Sequence, residues 1–266
     1  MKKSLHFALV MAMGMMAMSP ATAWAEDAFS VTIGGTTTNY EDVTAAFEAA
    51  SAGTEANPAT VTVLADYDKP VTGQYFVKLT SGVMTLDLND HTLSMTSNQS
   101  VISVQGADLT IVDNGVQNAG KLLGGYVALD YQFGKLTIYG GTYSGSYASF
   151  NAGNWSPQRV PNGIVLRGGT FVMSGSNAIL VNYSGPTAYW EVIDMSGYIF
   201  VDENGNTVEI PTRPAILTTV KVVPETSTGI NDLKVEGSKA VKTFENGQLV
   251  ITKDGKRYNV AGQLMK

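Results

Sequence analysis

The sequence predicts an all-β chain wound as a parallel β-solenoid, and three observations predict it. Short β-type runs fill residues 61–201 with no helical pattern between them. An apolar-Thr-apolar signature recurs at Met84, Leu109 and Leu136, steps of 25 and 27 residues. LTIYGGTYSG at 136–145 is nearly copied as IVLRGGTFVMSG at 164–175. A fixed period of roughly 20–50 residues marks repeats that stack on one another. A β-sandwich with coincidental spacing is the alternative.

The chain opens MKKSLHFALVMAMGMMAMSPATAWA, with a positive start, an apolar stretch and small residues at Ala23 and Ala25. This is the pattern of a secretory signal peptide over 1–25. No other apolar run is long enough to cross a bilayer. Residues 26–60 hold a strand, FSVTIGG, then YEDVTAAFEAASAG, whose apolar residues at 43, 46, 47 and 50 have helical spacing. Gly53 is placed to stop that helix. This reads as a strand plus one helix ahead of a long β region.

The solenoid is expected over 61–202. Its runs include VTVLA (61–65), YFVKL (75–79), VMTLDL (83–88), LTIVD (109–113), YVALDY (126–131) and AILVNY (178–183). In-register stacking places Leu86, Ile111 and Ile138 in one inward ladder. Gly-Gly at 124–125, 140–141 and 168–169 marks corners, where the chain needs positive φ. Met84, Met95, Met173 and Met195 read as core fillers. Residues 203–232 contain three prolines and read as a linker. Residues 233–266 read as a β-meander with strands at 248–252, 256–260 and 263–265, joined through turns that include Asp254-Gly255.

Composition bounds the function. The formal charge of −6 becomes −8 once Lys2 and Lys3 leave with the signal. An acidic surface is a poor partner for nucleic acid and for anionic lipid. There is no cysteine, so packing alone must hold an exported chain for which disulfides are usual.

VMTLDLNDHTLSM (83–95), DLTIVDNG (108–115) and GKLTIYGGTYSG (134–145) together resemble the secreted right-handed parallel β-helix proteins of the pectin-lyase-like superfamily. The resemblance covers residues 31–202. It implies a right-handed solenoid with an N-terminal helical cap; it does not imply an activity, since that superfamily holds lyases, hydrolases and non-catalytic surface proteins. ENGQLVITKDGKRYNVAG (245–262) is similar to C-terminal sorting tails of the type IX secretion route, with a plain structural hairpin as the alternative.

Groups able to do chemistry are few. The mature chain has one histidine, His91, in the expected corner LNDHTL, so neither a serine triad nor a histidine zinc site is expected. Asp87 and Asp113 occupy similar places in MTLDL and LTIVD; stacked, they would sit roughly 5 Å apart, a calcium-pair geometry. The same acids also suit coil corners, where Asp and Asn favour turns. We expect no catalytic residue, no metal and no cofactor. Binding is the better expectation. YSGSYASFNAGNWSPQRVPN (143–162) interrupts the repeat and brings Tyr143, Tyr147, Phe150, Trp155 and Arg159 together among Ser, Gly and Asn. Insertions on a solenoid lie on one face; aromatic rings stack on sugars, while Asn and Arg bind hydroxyls. Tyr183, Tyr189 and Trp190 form a second aromatic group. The expected protein is therefore a secreted or cell-surface, non-catalytic binding or adhesion module. Glycan is the first ligand and a surface protein the second, with self-association through terminal coils left open. A β-helix polysaccharide lyase or glycoside hydrolase is the runner-up, and a purely structural surface repeat the third reading.

Overall fold

A computed structural model describes residues 27–68, 75–95, 100–153, 163–181, 192–210, 215–225, 241–245, 248–253, 256–258 and 265. The signal peptide falls outside them. β1 (Phe29–Ile33) and β2 (Thr36–Tyr40) form an antiparallel hairpin, followed by α1 (Val43–Ala50). β3 (Ala59–Val63), β4 (Tyr67–Asp68) and β5 (Tyr75–Leu79) trace the first coil. β6 (Val83–Asp87), β7 (Thr92–Met95) and the start of β8 (Ser100–Val112) trace the second. The end of β8, β9 (Lys121–Gly124) and the start of β10 (Val127–Ile138) trace the next, and the end of β10, β11 (Thr142–Gly145) and β12 (Ala148–Ala152) the one after. β13 (Ile164–Leu166), β14 (Thr170–Met173) and β15 (Asn177–Val181) continue the path into β16 (Ile193–Asp194) and β17 (Tyr198–Val201).

Corresponding strands stack in parallel, so the chain is a three-faced β-solenoid of about four turns. The first face stacks β5, the start of β8, the start of β10, β12 and β15. The second stacks β3, β6, the ends of β8 and β10, β13 and β16. The third stacks β4, β7, β9, β11 and β14. Strands form here because Val, Ile, Leu, Thr and aromatic residues dominate the runs, and the alternation of buried and half-buried positions in β3 and β6 follows the pleat.

The second face shows how register makes the core. Ala59, Met84, Leu109, Leu136 and Ile164 lie in one row, and Val61, Leu86, Ile111, Ile138 and Leu166 in the next. All ten are buried; burying such a side chain is worth about 1.5–3 kcal/mol. The expected Leu86–Ile111–Ile138 ladder is present. The repeat begins two residues before the expected start at 61, because Ala59 is the residue that pairs with Met84. A two-residue shift leaves every side chain on its own face, so the hydrophobic pattern could not reveal it. Between the core rows, Thr60, Thr85, Thr110 and Thr137 form a half-buried outer ladder.

Both ends are closed. Asp42 caps α1, its Oδ1 accepting from the Thr44 N–H at 2.8 Å and the Ala45 N–H at 3.2 Å. Val43, Ala46, Phe47 and Ala50 are the buried stripe, packed against β1, β3 and β5. Asp42 Oδ2 accepts from the Tyr67 hydroxyl at 3.0 Å, tying the cap to the first coil; burial pushes the Tyr67 phenol up to about 12. At the far end the stretch expected as a linker supplies strands instead. β18 (Ala215–Ile216) pairs antiparallel with β15, and β19 (Val220–Pro224) runs antiparallel between β14 and β17. Val220 and Val222, read as linker because prolines flank them, are core residues. Reversing the chain direction there gives β15 and β14, the last parallel strands of the first and third faces, an antiparallel partner.

Two other expectations change. Met173 is 43% exposed rather than a core filler. In the C-terminal unit β20 (Val241–Glu245), β21 (Gln248–Lys253) and β22 (Lys256–Tyr258) pair antiparallel in that order. The first strand thus lies upstream of the expected set, and the expected strand at 263–265 lies outside the described residues except for Met265, whose N–H donates to the Arg257 carbonyl at 2.8 Å.

Candidate functional site: corner carboxylates and a tyrosine–amide ladder

The carboxylates expected at coil corners are engaged by backbone. Asp87 Oδ1 accepts from the Asn89 and Asn114 N–H groups at 3.1 and 3.0 Å, and its Oδ2 from the Asn114 amide at 3.0 Å. Asp90 accepts from the Gln117 N–H at 3.0 Å and the Ala119 N–H at 2.9 Å. Those backbone donors hold its carboxyl below the ordinary aspartate value. Asp113 accepts from the Asp90 N–H at 2.8 Å and the Gly120 N–H at 2.7 Å. Asp66 accepts from the Thr92 N–H at 2.8 Å and sits 3.5 Å from His91 Nδ1. Most of these bonds run from one coil to the next, so the acids brace the corner between the second and third faces.

The calcium-pair geometry is not formed. Register pairs Asp87 with Val112, so Asp113 falls one position further along. It is buried against Asp90 and Gly120 while Asp87 stays on the half-buried outer row. A one-residue offset places neighbouring side chains on opposite sides of a strand. At the next coil the corner is Gly140-Gly141, and the carbonyl of Gly140 accepts from the Tyr143 hydroxyl at 2.8 Å. Gly141 and the equivalent Gly169 have φ of 87° and 99°, so both supply the predicted turn; the pair at 124–125 marks a different corner, between the third and first faces, and Gly124 has no such φ.

The five residues expected to bind ligand separate. Tyr143 and Phe150 are fully buried. Phe171 lies between them, its ring centroid 5.0 Å from Tyr143 and 5.9 Å from Phe150, and burial drives the Tyr143 phenol far up. Neither ring has a free face. Tyr147 is half-buried at the corner that leads into β12. Trp155 and Arg159 lie outside the described residues, as do Tyr183, Tyr189 and Trp190.

Tyr147 has a partner that the reading of the sequence missed. Tyr126 occupies the same corner one coil earlier, is 39% exposed, and stacks on Tyr147 with centroids 4.7 Å apart and planes 3° apart. The first face then continues from each tyrosine. Asp130 and Asn151 are cross-strand neighbours on β10 and β12, and Asn151 Nδ2 donates to Asp130 Oδ1 at 2.7 Å. Asp130 Oδ2 accepts from the Ser103 hydroxyl at 2.9 Å and the Gln132 amide at 3.1 Å. Gln132 also donates to the Tyr75 hydroxyl at 3.3 Å, and Gln105 to Ser103 at 3.0 Å. Asp130 lies in a stretch of β10 that is buried on both sides, and the half-buried Gln105, Gln132 and Asn151 carry the network to the surface. The signal was available. GGYVALDY (124–131) laid over GSYASFNA (145–152) aligns Tyr126 with Tyr147 and Asp130 with Asn151.

The chain matches no family model, no curated protein and no solved structure.

Proposed function

We propose that this protein is a secreted, cell-surface, non-catalytic binding module whose ligand is a glycan held at the corner between the third and first faces. The parallel Tyr126–Tyr147 pair is the observation that supports it: two stacked phenol rings on a rigid corner give a flat, partly exposed platform of the kind on which sugar rings pack, with little entropy to lose on binding. In this reading Tyr147 contacts the ligand, and Trp155 and Arg159 are the further ligand residues that the sequence offers; Tyr143 and Phe150 belong to the core. The carboxylates a lyase or hydrolase would use are occupied in bracing coil corners, which favours binding over cleavage. The leader over residues 1–25 delivers the chain for export, the solenoid winds right-handed as its repeat motif suggests, and the C-terminal strands act in surface attachment.

The test uses purified residues 26–266 titrated with soluble polysaccharides while intrinsic fluorescence is followed. Tyr147→Ala and Trp155→Ala are expected to lose affinity at least about tenfold with unchanged thermal melts. Variants that bind as the parent does contradict the proposal.

A further inference from the structure

The network around Asp130 is a buried polar cluster with an unbalanced charge. Asp130 is 5% exposed. It is held by three neutral donors, the Ser103 hydroxyl and the Gln132 and Asn151 amides. Asp130 makes no ion pair among the described residues. A carboxylate offers about four lone-pair sites, so one is open among the described residues. The side-chain carbonyls of Gln105, Gln132 and Asn151 form no hydrogen bond among the described residues, and all three residues are half-buried and reach the surface. The cluster thus presents acceptors that call for hydroxyl donors, around a negative charge that burial leaves poorly screened. The Tyr75 phenol registers that field: burial first, and then the Asp130 charge, raise it above its ordinary value. Lys78 shares the row but is exposed and two strands away, roughly 10 Å.

Position links this cluster to the tyrosine platform. Tyr126, just before β10, precedes Asp130 by four residues, and Tyr147, just before β12, precedes Asn151 by four. Four strand residues span at most about 13 Å, the reach of a few sugar units. We infer that the Asp130 cluster is the hydrogen-bonding half of the glycan site and that it selects neutral polysaccharides over polyuronates. The inference rests on the glycan-binding reading above and adds the ligand's charge class. Neutral sugar hydroxyls donate to the open carboxylate and carbonyl acceptors, while a uronate carboxylate meets the like charge of Asp130, which makes no ion pair among the described residues.

The test is a titration of residues 26–266 at low salt with mixed-linkage β-glucan, galactomannan, xylan and polygalacturonate. At least one neutral polymer is expected to bind at least about tenfold more tightly than polygalacturonate. Asp130→Asn keeps the shape and removes the charge; it is expected to weaken the neutral ligand and to narrow that discrimination. Because a buried substitution can also disturb folding, Gln132→Ala, at a half-buried position, is the companion variant, expected to weaken neutral binding with an unchanged melt. Polygalacturonate bound as tightly as the neutral polymers overturns the inference. So does neutral binding that depends on Tyr147 but is indifferent to both Asp130→Asn and Gln132→Ala; that result leaves the glycan reading standing. No binding to any polymer overturns both.

Discussion

Asp113→Ala removes a carboxylate that closes one corner of the solenoid. Its two oxygens accept from the Asp90 and Gly120 N–H groups at 2.8 and 2.7 Å, and its side chain is 8% exposed. Each hydrogen bond to a charged group contributes about 1.5–3 kcal/mol, and alanine leaves both donors in a site with little water to replace the acceptor. The expected loss is about 3–5 kcal/mol, given that such contributions do not add fully. For a domain of this size that is a fall in melting temperature of roughly 6–20 °C. Asp113→Asn retains one acceptor and turns an amide against the other N–H, so it is expected to lose about half as much. Far-ultraviolet circular dichroism of residues 26–266 during heating reads both. If Asp113 instead served a ligand or a metal, the alanine variant would melt like the parent and lose only binding; that outcome refutes the bracing role, and with it the reasoning that sets the corner acids apart from chemistry.

Phe171→Ala empties the stack between Tyr143 and Phe150 and is expected to cost about 3–5 kcal/mol, read by denaturant unfolding; an unchanged midpoint contradicts the core assignment. Gly141→Ala places a Cβ at φ 87° and 2.6 Å from Leu88 Cδ1, so melting should fall, whereas alanine at a relaxed glycine would raise stability. Acid should destabilise the fold in a defined window. Asp194 is held at about 2 by hydrogen bonds from Ser196 and by Arg167, and Asp90 and Asp202 are also lowered. Groups with depressed folded-state pKa values add stability above the unfolded value, roughly 4, and lose it as pH falls toward the folded one. Melting temperature should therefore drop between about pH 4 and pH 2; a rise across that window would contradict the assignment of these bonds.

The solenoid was legible because its core is written as a period. Met84, Leu109 and Leu136 share one row, and the helical spacing of Val43, Ala46, Phe47 and Ala50 is the buried stripe of α1. What failed depended on partners that no local pattern encodes. Val220 and Val222 looked like linker because their value as strand residues comes only from pairing beside β14 and β17. Asp87 and Asp113 looked equivalent in the text of the sequence, yet register separates them by one residue. The site was half legible. Tyr143 and Phe150 stood out by composition, but pleat direction buries them against Phe171, and composition does not encode pleat direction. Tyr126 was hidden because it opens the run YVALDY (126–131), which reads as an ordinary repeat strand; only aligning one coil with the next exposes its pairing with Tyr147.

The most direct measurement combines binding and cleavage. Residues 26–266 are incubated with neutral and acidic polysaccharides and added calcium, affinity is followed by fluorescence, and reducing ends and unsaturated products are assayed in the same samples. The account predicts saturable binding to a neutral polymer, lost in Tyr147→Ala, with no new product in any sample. Accumulation of product that survives Tyr147→Ala and disappears in Asp87→Asn or Asp113→Asn contradicts it.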